Sequence, residues 1–214
     1  MNVLEKKNGQ GGLQSELIAE VRNSTLTESQ KLQLIEEKFR DIMMALGLDV
    51  TDESLKDTPR RVAKMYVKEV FSGLDPANAP AITLFKNDFS YDEMLIERNI
   101  PVYSYCEHHF VPIIGKVHVA YMSKGEVIGL SKLNRIVHYF AKRPQVQERL
   151  TIQIAEYLKK VMGIDDVAVV MDAEHLCVAS RGVRDTGSTT ITSSFHGRFL
   201  EVEIRKEFMS LLSV

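Results

Sequence analysis

The chain reads as an α+β domain, because segments with a helical apolar period alternate with a central block of strand-like alternation and turn residues punctuate the joins. Thr27 followed by Gln30 makes a capping box, after which Leu32, Ile35, Phe39, Ile42 and Leu46 recur at steps of three and four until Gly47. That pattern predicts an amphipathic helix. Thr58 before Pro59 predicts a second N-cap, with a helix through Val62, Tyr66, Val70 and Phe71 to Gly73 and an outer face of Arg60, Arg61, Lys64 and Lys68. Beyond Pro76 and Pro80 the pattern turns to strands, at 82–85, at 94–96 and through the long run 100–122. Ser123, Lys124 and Gly125 then turn the chain into 127–130. Two helices broken at Pro144 follow. Leu133, Ile136, Val137 and Phe140 line the first, and Val146, Leu150, Ile154, Leu158 and Val161 line the second up to Gly163. Strands are expected at 167–171 and 176–180, a polar Ser/Thr-rich stretch at 188–194, and a candidate closing helix at 201–212. Antiparallel strands with helices on one face leave the other face to be covered; if neighbouring subunits supply that cover, the protein is an obligate oligomer and sites at strand ends are shared between chains.

At 214 residues the chain supports one substantial domain, placed at 27–214, behind a polar arm at 1–26 that contains Gly9, Gly11 and Gly12. Its 27 Lys and Arg against 29 Asp and Glu give a net charge of -2, which removes any bulk electrostatic reason to expect nucleic acid as partner. The sequence lacks an eighteen-residue apolar run and its start lacks the apolar core of a signal peptide, so the expectation is a cytoplasmic protein that does not enter a membrane. In a reducing compartment the only two cysteines, Cys106 and Cys177, are better read as sharing a metal than as a disulfide.

Each cysteine sits beside histidine: Cys106 opens Cys-Glu-His-His-Phe and Cys177 closes His-Leu-Cys. Thiolate and imidazole are the ligands Zn²⁺ prefers, and a structural zinc site wants four of them with repeated C-x-x-C spacing. Two cysteines with one or two histidines fit a catalytic site of three ligands instead. A strand would put Cys106 and His108 on one face, whereas a turn would bring Cys106 and His109 together, so both histidines stand as ligand candidates. The one left over is free to act as acid or base. In 129–135, Ser131 falls at an expected N-cap, with Lys132 and Arg135 on one helical face, which makes an anion site to which Arg181 and Arg184 add charge. Gln147 and Glu148, near the start of the helix after Pro144, carry the amide and carboxylate that suit a purine edge.

Taken together, Cys-Glu-His-His-Phe, Gly-Leu-Ser-Lys-Leu-Asn-Arg (129–135), Arg-Pro-Gln-Val-Gln-Glu-Arg-Leu (143–150) and His-Leu-Cys-Val-Ala-Ser-Arg-Gly-Val-Arg-Asp (175–185) closely resemble GTP cyclohydrolase I over roughly Thr27 to Phe195. The resemblance implies a tunnelling fold, or T-fold, assembled as a toroidal homodecamer of two stacked pentamers with active sites at subunit interfaces. It implies conversion of GTP to formate and 7,8-dihydroneopterin triphosphate, the entry to folate and other pterins. It further implies Cys106, His109 and Cys177 as zinc ligands, with zinc-activated water attacking purine C8. His175 and His108 become proton-transfer groups, and Ser131 joins His108 near the ribose. Gln147 and Glu148 read guanine, and Lys132, Arg135 and Arg181 hold the triphosphate with Lys64 from a neighbouring subunit. Three rivals are a T-fold enzyme with a cysteine nucleophile, a zinc-stabilised module without activity, and a zinc deaminase. The second Cys-His cluster argues against the first, the surplus histidines and convergent cations against the second, and the absent H-x-E and P-C-x-x-C signatures against the third.

Overall fold

A computed structural model describes the chain from Thr25 to Leu212, so the arm expected at 1–26 lies almost wholly outside the described residues. The chain divides into two compact units, 1–63 and 64–214.

In the first unit the capping box forms as expected. Thr27 accepts from the Gln30 backbone and Gln30 returns the bond, which opens α1 (Glu28–Ala45). Of its apolar positions, Met43 is buried while Leu34, Ile42, Met44 and the adjoining Leu46 stay exposed. The second helix, α2 (Thr58–Lys64), starts on Thr58 itself rather than after it, with Pro59 and Ala63 buried.

The second unit opens with π-helical winding over Met65–Val70 and a short 3-10 turn at Ser72–Leu74. A two-stranded sheet pairs β1 (Leu84–Lys86) with β4 (Glu126–Ile128). The main sheet has five strands, β2 (Met94–Cys106), β3 (Pro112–Met122), β5 (Pro144–Gln145), β6 (Val167–His175) and β7 (Thr190–Phe195), in the order β5-β2-β3-β6-β7. All pairings are antiparallel except β2 with β5. The expected strands at 94–96 and the start of 100–122 are one strand, β2, carried across a bulge between Glu97 and Ile100 where Asn99 takes φ 62°.

Alternation sends Ile100, Val102, Val117, Val119, Val169 and Met171 to one face, where α3 (Leu130–Ala141) and α4 (Gln147–Met162) bury Leu133, Ile136, Phe140, Leu150, Ile154 and Leu158 against them. Gly163, at φ 64°, ends α4 in the left-handed conformation expected of a C-terminal glycine. The opposite face, which the sequence reading left in need of a cover, is partly covered by the chain itself. Ala120, Met122, Ala168 and Val170 meet Phe199 and Phe208, the latter from α6 (Val202–Leu212). Farther along that face Tyr103 and its cross-strand partner Ile114 remain exposed, as does Ile191 beside Asp172.

Two segments depart from the sequence reading. Residues 176–180 form a short helix, α5 (Leu176–Ala179), and not a strand: β6 loses its partner where β3 begins at Pro112, so the chain coils and Ser180 N–H closes on the Leu176 carbonyl. The polar stretch at 188–194 contains the edge strand β7, whose Thr190, Ile191 and Thr192 are β-branched. Among the described residues no helix is long and apolar enough to cross a membrane.

Candidate active site at the strand ends

Register gathers the chemistry. Tyr105 pairs with Pro112 and Ile113 with His175, so the end of β2 and the end of β6 flank the first residues of β3. Cys106 stands opposite Gln145 of β5, and α4 begins two residues later. Both half-sites therefore lie on the helix-covered side of the sheet beside the first turn of α4.

The choice between strand and turn at Cys106 is decided by the backbone. Phe110 N–H donates to the Cys106 carbonyl at 2.8 Å, Cys106 N–H donates to Val111, and Phe110 takes φ 52°. Aromatic contacts of the Phe110 ring with Phe71 (5.0 Å) and Tyr66 (6.2 Å) hold that turn in place. The result is the i, i+3 pairing. Donor atoms of Cys106, His109 and Cys177 all lie within 4.8 Å of one another, with Cys106 buried, Cys177 half-buried and His109 exposed. Zinc bonds of about 2.0–2.3 Å in a tetrahedron set donors roughly 3.3–3.8 Å apart, so a small side-chain contraction closes this set on a metal. Two thiols and one imidazole leave a fourth position open. Burial, and next the neighbouring Cys106 thiol, push the Cys177 thiol above its ordinary value, with Arg181 opposing. A divalent cation held by Cys106, His109 and Cys177 would reverse that penalty, because the ligating form is the thiolate.

Around this cluster, His108 lies exposed with Nδ1 3.6 Å from Cys106 Sγ, and Arg181 Nη1 donates to His109 Nε2 at 3.2 Å. His175, at the end of β6, donates from Nε2 to Gln147 Oε1 at 2.7 Å. Burial holds its imidazole below the ordinary value, and the Glu148 carboxylate works the other way. Glu148 is exposed in the first turn of α4. Gln147, expected beside it on a purine edge, is 1% exposed and spends its side-chain amide inside the chain.

The remaining sequence candidates lie on α3 and at the end of α2. Gly129 is the N-cap of α3 and no side chain caps the helix, so Ser131 is its second residue rather than its cap. Lys132 follows it in the first turn. Arg135 opens instead onto a cavity of about 520 Å³ shared with Lys68, His138 and Lys142, to which the cluster contributes no lining. Lys64 is exposed at the end of α2.

Two residues that the sequence did not single out complete the site. Glu107, inside the metal-binding turn, pairs with Arg149 of α4. Arg149 also donates from Nε to Gln145 Oε1 (2.9 Å) and from Nη2 to the Pro144 carbonyl (3.0 Å). Both sit next to residues that were noticed, but a pair separated by 42 positions leaves no periodic trace.

The family model described as GTP cyclohydrolase I matches residues 35–213. Among curated proteins, GTP cyclohydrolase 1 of Flavobacterium johnsoniae is 54% identical over 189 residues, covering 88% of this chain and 85% of that one. The protein of the same name from Aeromonas salmonicida is 51% identical over 199 residues, covering 92% and 89%. A crystal structure of the archaeosine synthase QueF-Like in the apo form aligns with TM-score 0.38 and 16% identity over 54% of this chain and 94% of that one. With one family model spanning most of its length and relatives half identical over nearly all of it, the chain belongs to the GTP cyclohydrolase I family.

Proposed function

We propose that the protein hydrolyses GTP at purine C8, releases that carbon as formate, and rearranges and recloses the remainder to 7,8-dihydroneopterin triphosphate, the first step of folate and pterin biosynthesis. The observation that carries the reading is the three-donor cluster of Cys106, His109 and Cys177 with His108 and His175 beside it and outside the donor set. Bound there, Zn²⁺ supplies the Lewis acidity that makes water a nucleophile near neutral pH.

The chain's own residues orient the purine and move protons. Glu148 accepts from the N1–H and 2-amino group of guanine, two donors that match one carboxylate. His175 keeps its Nε2 proton on Gln147 and delivers a proton from Nδ1 to purine N7, which draws electrons from C8 and favours ring opening. Its lowered basicity suits a donor that must give up its proton near neutral pH. His108 and Ser131 serve the later ribose steps.

Lys132, Arg135 and Arg181 hold the triphosphate, with Lys64 from a neighbouring subunit. Arg135 lines a cavity to which Cys106, His109 and Cys177 contribute nothing, which supports a composite site completed by other copies in a toroidal decamer. Exposed Tyr103, Ile114 and Ile191 on the sheet, and Ile42, Met44 and Leu46 at the end of α1, are apolar surface that such an assembly would bury. Incubation with GTP tests the activity: one formate per dihydroneopterin triphosphate is expected, abolished by a chelator and restored by zinc. Full turnover by metal-free protein would overturn the reading.

A further inference from the structure

Gln147 opens α4 yet is 1% exposed, and each of its side-chain polar atoms is engaged within the chain. Its Nε2 faces the Thr190 carbonyl at 2.7 Å, the Met171 carbonyl at 3.2 Å and Thr192 Oγ1 at 3.2 Å. Carbonyl oxygens only accept, so the NH₂ end of the amide must face them and Oε1 must face His175. Oε1 also only accepts, so the His175 nitrogen 2.7 Å away must carry a proton.

The threonines close the network without a conflict of donors. Thr151 Oγ1 donates to the Gln147 carbonyl at 2.9 Å, which requires Thr192 Oγ1 to donate to Thr151 Oγ1 at 2.6 Å and leaves Thr192 free to accept from the amide. Residues from β6, β7 and α4 thus hold one amide in one orientation. A side chain so committed reads a purine edge only by breaking bonds that hold the three elements together.

We infer that Gln147 is a positioning residue: it fixes the tautomer and ring orientation of His175 so that Nε2 stays protonated and Nδ1 is the nitrogen that exchanges a proton with the purine. In the transfer, the Nδ1–H bond of the imidazolium breaks, the proton and purine N7 form a new bond, and His175 returns to the neutral Nε2–H form, to be reprotonated from water. Purine recognition then falls to Glu148 alone among the first-turn side chains of α4. The inference rests on the proposed function.

Gln147→Met keeps the volume and removes the hydrogen bonds. The test measures kcat and KM for GTP, the preference for GTP over inosine triphosphate, zinc per chain and the circular dichroism spectrum. Positioning predicts kcat lower by about 100-fold or more, the scale of a misplaced proton-transfer group, with KM, purine preference and zinc content near wild type. A raised KM with a collapsed purine preference would assign Gln147 to substrate reading, and an unchanged kcat would remove it from the mechanism; either overturns the inference. If Gln147→Met does not fold, Thr192→Val loosens the amide from outside the site. It should lower kcat about 5–10-fold at constant KM, a fraction of the full effect, and an unaltered kcat would count against the inference. Wild-type protein that releases no formate from GTP ends both readings, whereas active wild type with fully active Gln147→Met ends only this one.

Discussion

Replacing Arg149 by methionine cuts the guanidinium that ties the metal-binding turn to the start of α4. The interactions lost include the ion pair with Glu107 and donations to Gln145 Oε1 at 2.9 Å and to the Pro144 carbonyl at 3.0 Å. The two charged side chains are 29% and 33% exposed, between an open surface pair and a buried one. An exposed pair contributes about 0–1 kcal/mol and breaking a buried one costs about 3–5, so the ion pair here accounts for roughly 2 kcal/mol. Gln145 is 1% exposed, so removing Arg149 deprives a buried acceptor of a charged donor, and the two lost donations add about 1–3 kcal/mol. Of a total of about 3–5 kcal/mol, the part that reaches the metal follows from Glu107 lying next to Cys106 and two residues before His109. Loosening a ligand's support typically weakens metal binding about 10–100-fold, equivalent to about 1.4–2.8 kcal/mol. Zinc affinity measured by competition with a chromogenic chelator should fall by that amount, with turnover recovering at saturating zinc. A double-mutant cycle with Glu107→Gln should return a coupling of about 1–2 kcal/mol. Zinc affinity equal to wild type in Arg149→Met would refute the reasoning, because the turn would then hold its shape without the tie.

Gly115→Ala places a Cβ 2.1 Å from the Asp172 carbonyl and 2.5 Å from the Ala173 Cβ, so β3 and β6 must part; a loss of about 1–3 kcal/mol in denaturant unfolding and weaker zinc retention are expected. Phe208→Ala empties a fully buried site packed against Phe199 and should cost about 3–5 kcal/mol of stability while leaving zinc affinity unchanged, since the second core lies on the opposite sheet face from the cluster. Burial first, and then Lys116 and Arg98, hold the His118 imidazole below its ordinary value, with Asp172 opposing, and His118 Nδ1 accepts from Asn99 N–H at 3.3 Å. The unfolded chain therefore takes up this proton first as pH falls, so stability should drop as pH decreases through about 6.5 toward the folded value, and His118→Asn should flatten that slope in denaturant titrations.

What the sequence disclosed followed local physics. The capping box at Thr27 and Gln30, the apolar stripes of α3 and α4 and the stop at Gly163 are written in neighbouring residues, and each appears where expected. Residues 176–180 misled because Leu176, Val178 and Ala179 suit strand and helix alike, and the deciding fact is that β3 begins only at Pro112 and leaves β6 without a partner beyond His175, a tertiary matter. Strand β7 was hidden by its serines and threonines, which read as loop until β6 provides a partner. That omission had a consequence at the site. Without β7, Gln147 has neither the Thr190 carbonyl nor Thr192 to bind, and it reads as a free amide at a helix start. The metal half-sites were legible as chemistry; spacing alone left the choice between His108 and His109 open, the family resemblance implied His109, and the turn closed by Phe110 N–H brings His109 into the cluster.

That choice is also where the account is most directly tested. His108 Nδ1 lies 3.6 Å from Cys106 Sγ, close enough to make it a rival ligand, while His109 shares the cluster with both sulfurs. The deciding measurement is zinc per chain, with formate release from GTP recorded on the same samples, for His108→Ala, His109→Ala and His175→Ala. The account predicts one zinc per chain with lost turnover for His108→Ala and His175→Ala, and loss of zinc for His109→Ala. Loss of zinc from His108→Ala with zinc retained by His109→Ala would contradict it.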